Sequence, residues 1–136
     1  MSTPLEAFHE LSYYTLSQPR GGFIHQHAVD AFAAQTATAE DKPIKLVFGL
    51  VGLQLHVELG FSGRQVQDFH MKLARHKRSW PELPIPADRG RMTVHDVLQR
   101  PAGPERDAAI HQWCSVVWDA WAAAHAAIRE LTQGAA

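Results

Sequence analysis

Nine histidines are spread from His9 to His125 in a chain of 136 residues, a density several times the ordinary one. Imidazole serves as ligand, acid and base near neutral pH, so the helical faces that carry these rings decide what chemistry is within reach. Side-chain direction turns by about 100° per helical residue. On that count His9 falls near the centre of the apolar face of a first helix, and His27 and Asp30 share a face of a second. His25 lies closer to Val29 and Phe32 on that second helix. His56 shares a side of a third helix with Gly49 and Gly52, and glycine leaves room for a backbone or ligand to approach. His70 borders the Val66/Leu73 stripe of a fourth helix, and His125 the Trp121/Ile128 stripe of the last, with His111 on nearly the same side.

Imidazoles turned inward from separate helices are the usual way a helical bundle holds a metal. The candidate ligands for a divalent ion (zinc, nickel or iron) are His9, His25, His27, His56 and His70. Glu58 and Asp30 are the carboxylates available as general base or as partners to a ligating ring. A metal with an open position activates bound water, and the enzymatic form of this expectation is a metal-dependent hydrolase or transferase acting on a small molecule. The opposing reading makes each ring a core residue satisfied by backbone or water, because no tight pattern such as His-Glu-x-x-His occurs. The chain is then a non-catalytic interaction module, most simply a homodimer, with Trp113, Trp118 and Trp121 pointing over more than one stripe and leaving apolar surface. A third reading places an organic ligand in the glycine-lined groove beside His56 without chemistry. Cys114 has His111 three residues away, but a buried inert thiol is the simpler assignment.

The elements that position these groups read as all-α. Thr3, Pro4 and Glu6 form a cap for a helix to Ser17, with Leu5, Phe8, Ser12 and Leu16 on one face. Pro19-Arg20-Gly21-Gly22 breaks the chain before a second helix over residues 23–37. The third, Pro43 to Leu59, is apolar almost all round and so belongs at the centre of the domain, with Gly60 placed to end it. A capping box at Ser62 and Gln65 opens the fourth, which runs toward Trp80; Pro81, Pro84 and Pro86 then enforce a loop. A short helix from Thr93 to Gln99 precedes a long fifth helix from Pro104 to Thr132. The expectation is a five-helix bundle-like single domain over residues 1–136, with a proline-rich loop between helices 4 and 5.

Composition bounds the partners. Hydrophobic residues make up 46% and charged residues 20%, so the chain can bury a core. A net charge of −1 gives no whole-chain attraction to nucleic acid or anionic lipid. Nine of the thirteen Lys and Arg residues do lie between Arg64 and Arg106, including Lys72, Arg75, Lys77, Arg78, Arg89 and Arg91, with His76 among them. Cations late in a helix complement its dipole and the aromatics are core-directed, so nucleic acid is not the expected partner. No stretch is long and apolar enough for a membrane span, no secretory start is visible, and the lone cysteine favours a reducing compartment; the chain is expected to be soluble and cytoplasmic.

The stretch Phe23-Ile24-His25-Gln26-His27-Ala28-Val29-Asp30-Ala31-Phe32-Ala33-Ala34-Gln35 resembles a motif of a family of short bacterial proteins catalogued as a domain of unknown function. The resemblance extends through Gly52-Leu53-Gln54-Leu55-His56-Val57-Glu58 and the Trp80-Pro81 segment, and the positions it matches are His25, Asp30, Gln35 and Glu58. Many relatives carry a Cys-x-x-Cys hook ahead of the first helix. The single cysteine here does not match it, so a hook-dependent zinc role is not implied. The resemblance implies a helical fold and no particular activity. His25, Asp30 and Gln35 recur at steps of five, about 140° apart around a helix, so they do not line one narrow face; Gln35 is expected to bond a neighbouring helix.

Overall fold

The computed structural model describes residues 2–18, 22–75 and 79–135. It contains α1 (Pro4–Leu16), α2 (His25–Gln35), α3 (Pro43–Leu59), α4 (Gly63–Ala74), α5 (Val94–Gln99), α6 (Pro104–Ala120), a 3-10 turn (Ala122–Ala124) and α7 (His125–Ala135). No strand occurs among the described residues. The all-α class stands, with more helices than the five expected. The break at Pro19-Arg20-Gly21 and the basic residues His76, Lys77 and Arg78 lie outside the described residues.

Capping fixes the starts. Thr3 with Glu6, Ser62 with Gln65 and Thr93 with Asp96 form capping boxes, in which side chain and backbone satisfy each other's free N–H groups. The apolar α3 is the central post: Leu46, Val47, Leu50, Val51, Leu53 and Leu55 are all buried, and α2, α4, α6 and α7 pack around it. α5 closes one end against α1 and α6. Gln35, on α2, ties this end together. Its amide nitrogen donates to the Arg89 and Met92 carbonyls, and its oxygen accepts the Trp113 indole N–H at 2.9 Å.

Four sequence expectations need correction. The long fifth helix is two helices: after α6 the chain turns through Trp121, and the His125 ring stacks on Trp118 and donates from Nε2 to the Trp118 carbonyl at 2.8 Å. That bond satisfies a carbonyl the helix end leaves free. The buried face of α1 is Ala7, Leu11 and Thr15, whereas Leu5 and Leu16 are more than half exposed and His9 faces outward. Small Ala7, fully buried, lets the helix approach its neighbours on a side that hydrophobicity alone did not mark. Trp113, Trp118 and Trp121 are all buried, so they supply no apolar surface. The room left by Gly49 and Gly52 is filled by α2 rather than by a ligand: a Cβ on Gly52 would stand 1.9 Å from Asp30 Oδ2, and one on Gly49 would touch Ala33 and the Asp30 carbonyl.

Candidate functional site

One histidine from each of three helices meets at the wall of a cleft. α2 brings His27, α3 brings His56 and α6 brings His111. The His27 and His56 rings stack with centroids 3.6 Å apart, and His111 stands 4.8 Å from His56 and 5.9 Å from His27, centre to centre. His56 lies in the last turn of α3, which Gly60 ends in a left-handed conformation (φ 73°) that glycine adopts without strain. The Gly60 N–H returns to the His56 carbonyl and the Phe61 N–H to the Leu55 carbonyl. This turn brings the Phe61 carbonyl to 2.9 Å from His56 Nδ1.

That contact fixes the proton positions. A carbonyl only accepts, so His56 Nδ1 carries the proton and, in the neutral ring, Nε2 carries the lone pair. His56 Nε2 is 2.8 Å from His111 Nδ1, which must therefore donate to it. His111 then presents its own Nε2 lone pair at the exposed end of the chain. Burial holds His27, His56 and His111 below the ordinary imidazole value. His27 is pushed furthest, to about 3, by burial and by the two neighbouring rings. For His111 the Asp107 carboxylate, one turn earlier on α6, works against that depression. Asp107 in turn accepts the Tyr14 hydroxyl at 2.7 Å, which joins α1 to this wall.

The cleft has a volume of about 910 Å³, within the range of small-molecule sites. Leu16, Phe23, Ile24 and Phe61 give it apolar walls, and Arg64 and Asp107 stand on its lining. Its lip is strained. Phe23 holds φ at 56°, unusual for a bulky residue, and its carbonyl lies where a Cβ on Gly63 would be only 1.8 Å away. The entrance to α2 and the start of α4 are thus pressed together at a position only glycine allows.

The other predicted groups lie apart from this cluster. His9 is exposed on α1. His25 pairs with the Thr15 hydroxyl at 2.8 Å, and His70 donates from Nε2 to the Phe48 carbonyl at 2.8 Å. Both are satisfied by structural partners, His70 on α4. Asp30 is 3% exposed, one turn beyond His27, and burial raises its carboxyl well above the usual range, which favours its neutral form. Gln26 donates to its Oδ1 at 3.0 Å, and its Oδ2 and His27 Nδ1 have no hydrogen-bond partner among the described residues. Glu58 is engaged elsewhere: Arg129 holds it with both nitrogen ends of its fork, Trp118 donates at 3.2 Å and Gln54 at 3.1 Å. The Arg129 contact leads in holding its carboxylate down to about 2. Saturated with donors, Glu58 links α3 to α6 and α7. Arg89 from the basic run is likewise internal, donating to the Pro86 and Gln35 carbonyls with its guanidinium over Trp121.

His111 was not among the predicted ligands. Its membership was visible only as a ring on the side of α6 near the Cys114 stripe, and the partner that completes the pair lies 55 residues away. Among the described residues no group of three or more His, Cys, Asp or Glu side chains is arranged to ligate one metal ion.

The Family of unknown function (DUF5946) has a sequence model that matches residues 5–122 of this chain. The chain belongs to that family. The match covers α1 to α6 and with them all three histidines of the cleft wall, so this site falls within the span that defines the family. No curated protein and no solved structure matches the chain. No helix among the described residues is long and apolar enough to cross a membrane.

Proposed function

We propose that the protein binds a small molecule in the cleft over His27, His56 and His111 and acts on it by proton transfer at His111 Nε2. The observation that carries this reading is the hydrogen-bond chain from the Phe61 carbonyl through His56 to His111. Each link fixes the next tautomer, so His111 is held with its lone pair outward and its other nitrogen supported by an acceptor. That is how a general base is oriented. When His111 takes a proton at Nε2, the Asp107 carboxylate stabilises the resulting charge. His56 acts as a positioning residue, and the stacked His27 ring fixes its plane. The apolar walls suit a ligand with a hydrophobic body and one acidic or carbonyl-bearing group near His111.

The test is a fragment screen by NMR on chelator-treated protein labelled with 15N-histidine, using small carboxylic acids, amides and esters. Fragments are expected to shift the ring nitrogens of His56 and His111 together, and His111→Ala is expected to lose that response. Binders that leave both rings unmoved contradict the reading.

A second reading, self-association, has its support on α1, where Tyr13 is 80% exposed, Leu16 59% and Leu5 54%. Apolar surface gathered on one helix is what a second copy would cover. Light scattering across a concentration series tests it: a monomer at the highest concentration removes it, and a dimer that Tyr13→Lys dissociates supports it.

A further inference from the structure

We infer that the His56–His111 pair is also a binding site for a divalent transition-metal ion, with His56 Nε2 and His111 Nδ1 as the two protein ligands. The inference goes beyond the proton-transfer reading but uses the same His56–His111 contact, because a metal between these nitrogens takes the place of the proton they share.

The geometry is close to what a metal needs. The nitrogens stand 2.8 Å apart. Two imidazole nitrogens each about 2.0–2.1 Å from one ion, at an angle between square and tetrahedral, are about 2.8–3.4 Å apart. The rings need to part by at most a few tenths of an ångström, and His111, on the exposed side of α6, can yield that much. Ring orientation is already set. A metal-binding histidine normally donates its other N–H to a carbonyl or carboxylate, which fixes the tautomer and aims the lone pair. His56 does this through Nδ1 to Phe61. His111 must move its proton from Nδ1 to Nε2, and since both rings are neutral this is a change of tautomer with no proton released to solvent.

Two independent features favour a cation here. Asp107 places a carboxylate one turn from His111 on the cleft lining. His27, 3% exposed and stacked on His56, has a buried Nδ1 with no partner among the described residues. Buried polar atoms are nearly always satisfied, so this orphan atom leaves room for a polar partner beside the stacked rings. The remaining coordination positions face the cleft and are left to water or to a small molecule. Two imidazoles favour nickel, copper or zinc over magnesium or calcium, which prefer oxygen.

The experiment uses untagged full-length protein and nickel(II) or zinc(II) salts alone, with calorimetry for binding and 15N-histidine NMR for the site. The expected result is a single saturable site in the micromolar range, with nickel broadening His56 and His111 first. His111→Ala is expected to weaken binding at least tenfold, while His9→Ala, His70→Ala and His125→Ala leave it unchanged. His111 is exposed, so its replacement leaves the fold standing; His111→Asn provides a second variant that keeps the polarity of the position. No saturable binding overturns the inference, and so does binding that survives both His111 variants, which would be adventitious capture by another histidine. Fragment binding to the chelator-treated protein is read separately, so loss of the metal site leaves the proton-transfer reading to stand or fall alone.

Discussion

Replacing Gly52 with alanine is expected to break the packing that aligns the histidines, and the size of the effect follows from one contact. A Cβ at that position would lie 1.9 Å from Asp30 Oδ2 and 2.5 Å from its Cγ. Relieving so short a contact requires α2 and α3 to part locally by about 1 Å, in an interior packed as densely as an organic crystal. Asp30 is buried and its Oδ1 is held by Gln26, so swinging the carboxyl aside breaks that hydrogen bond. Glycine to alanine inside a helix otherwise gains about 1 kcal/mol from propensity, and overpacking of this kind costs about 1–3 kcal/mol or more. A net loss of about 1 kcal/mol, and up to about 2, is expected for Gly52→Ala, measured by urea unfolding. His27 lies one turn before Asp30, and His56 one turn after Gly52, so the same parting should loosen the His27–His56 stack and shift both rings in the NMR spectrum. The double variant isolates the cause. In an Asp30→Ala background the obstructing carboxyl is gone, and Gly52→Ala is expected to be neutral or stabilising by up to about 1 kcal/mol. An equal loss in both backgrounds would refute the reasoning.

Asp30→Asn should remove a pH dependence. The folded-state carboxyl is raised by burial, so the fold binds its proton more tightly than the unfolded chain does; that contribution is full below the unfolded carboxylate value near 4 and shrinks as pH rises above it, by up to about 1.4 kcal/mol per unit. The stability of Asp30→Asn relative to the parent is thus expected to increase from pH 4 to pH 7 in urea unfolding, and a constant difference argues against a neutral buried acid. Glu58→Gln should lower the melting temperature slightly at neutral pH, because its folded value of about 2 makes its contribution present above the unfolded value and lost as pH falls toward 2; the surface-exposed Arg129 limits the loss to about 1 kcal/mol, and a difference that persists at pH 2 contradicts the assignment. Gln35→Ala leaves the buried Trp113 indole N–H without its acceptor, a loss of about 1–3 kcal/mol readable by thermal unfolding. Gly63→Ala sets a Cβ 1.8 Å from the Phe23 carbonyl and is expected to displace the cleft lip, which fragment binding or the Phe23 backbone resonances would report.

Much of the architecture was legible in the chain. The all-round apolar run of α3 announces a central helix, and the capping boxes at Thr3, Ser62 and Thr93 announce three starts, because these signals are local. The break after Ala120 was not legible, since what stabilises it is the His125 ring reaching back to Trp118, a tertiary event on an uninterrupted helical pattern. The buried side of α1 was misplaced because Ala7 and Thr15, weak hydrophobes, are buried while Leu5 and Leu16 are not. Of the three rings that meet at the cleft, His27 and His56 were singled out from their faces and His111 was not, because its partner lies on another helix and periodicity carries no information about that pairing. Asp30 and Glu58 were both read as available carboxylates. One is buried against Gly52 with its carboxyl raised by burial, and the other is saturated by Arg129, Trp118 and Gln54; sequence spacing distinguishes neither condition.

Long-range 1H–15N correlation of the histidine rings, on metal-free protein near pH 8, tests the central claim most directly. The account predicts His56 and His111 each as the single tautomer protonated at Nδ1, with a slowly exchanging His111 ring proton shared toward His56 Nε2. A His56 ring protonated at Nε2, or the averaged signals of an unconstrained imidazole at both positions, would contradict it.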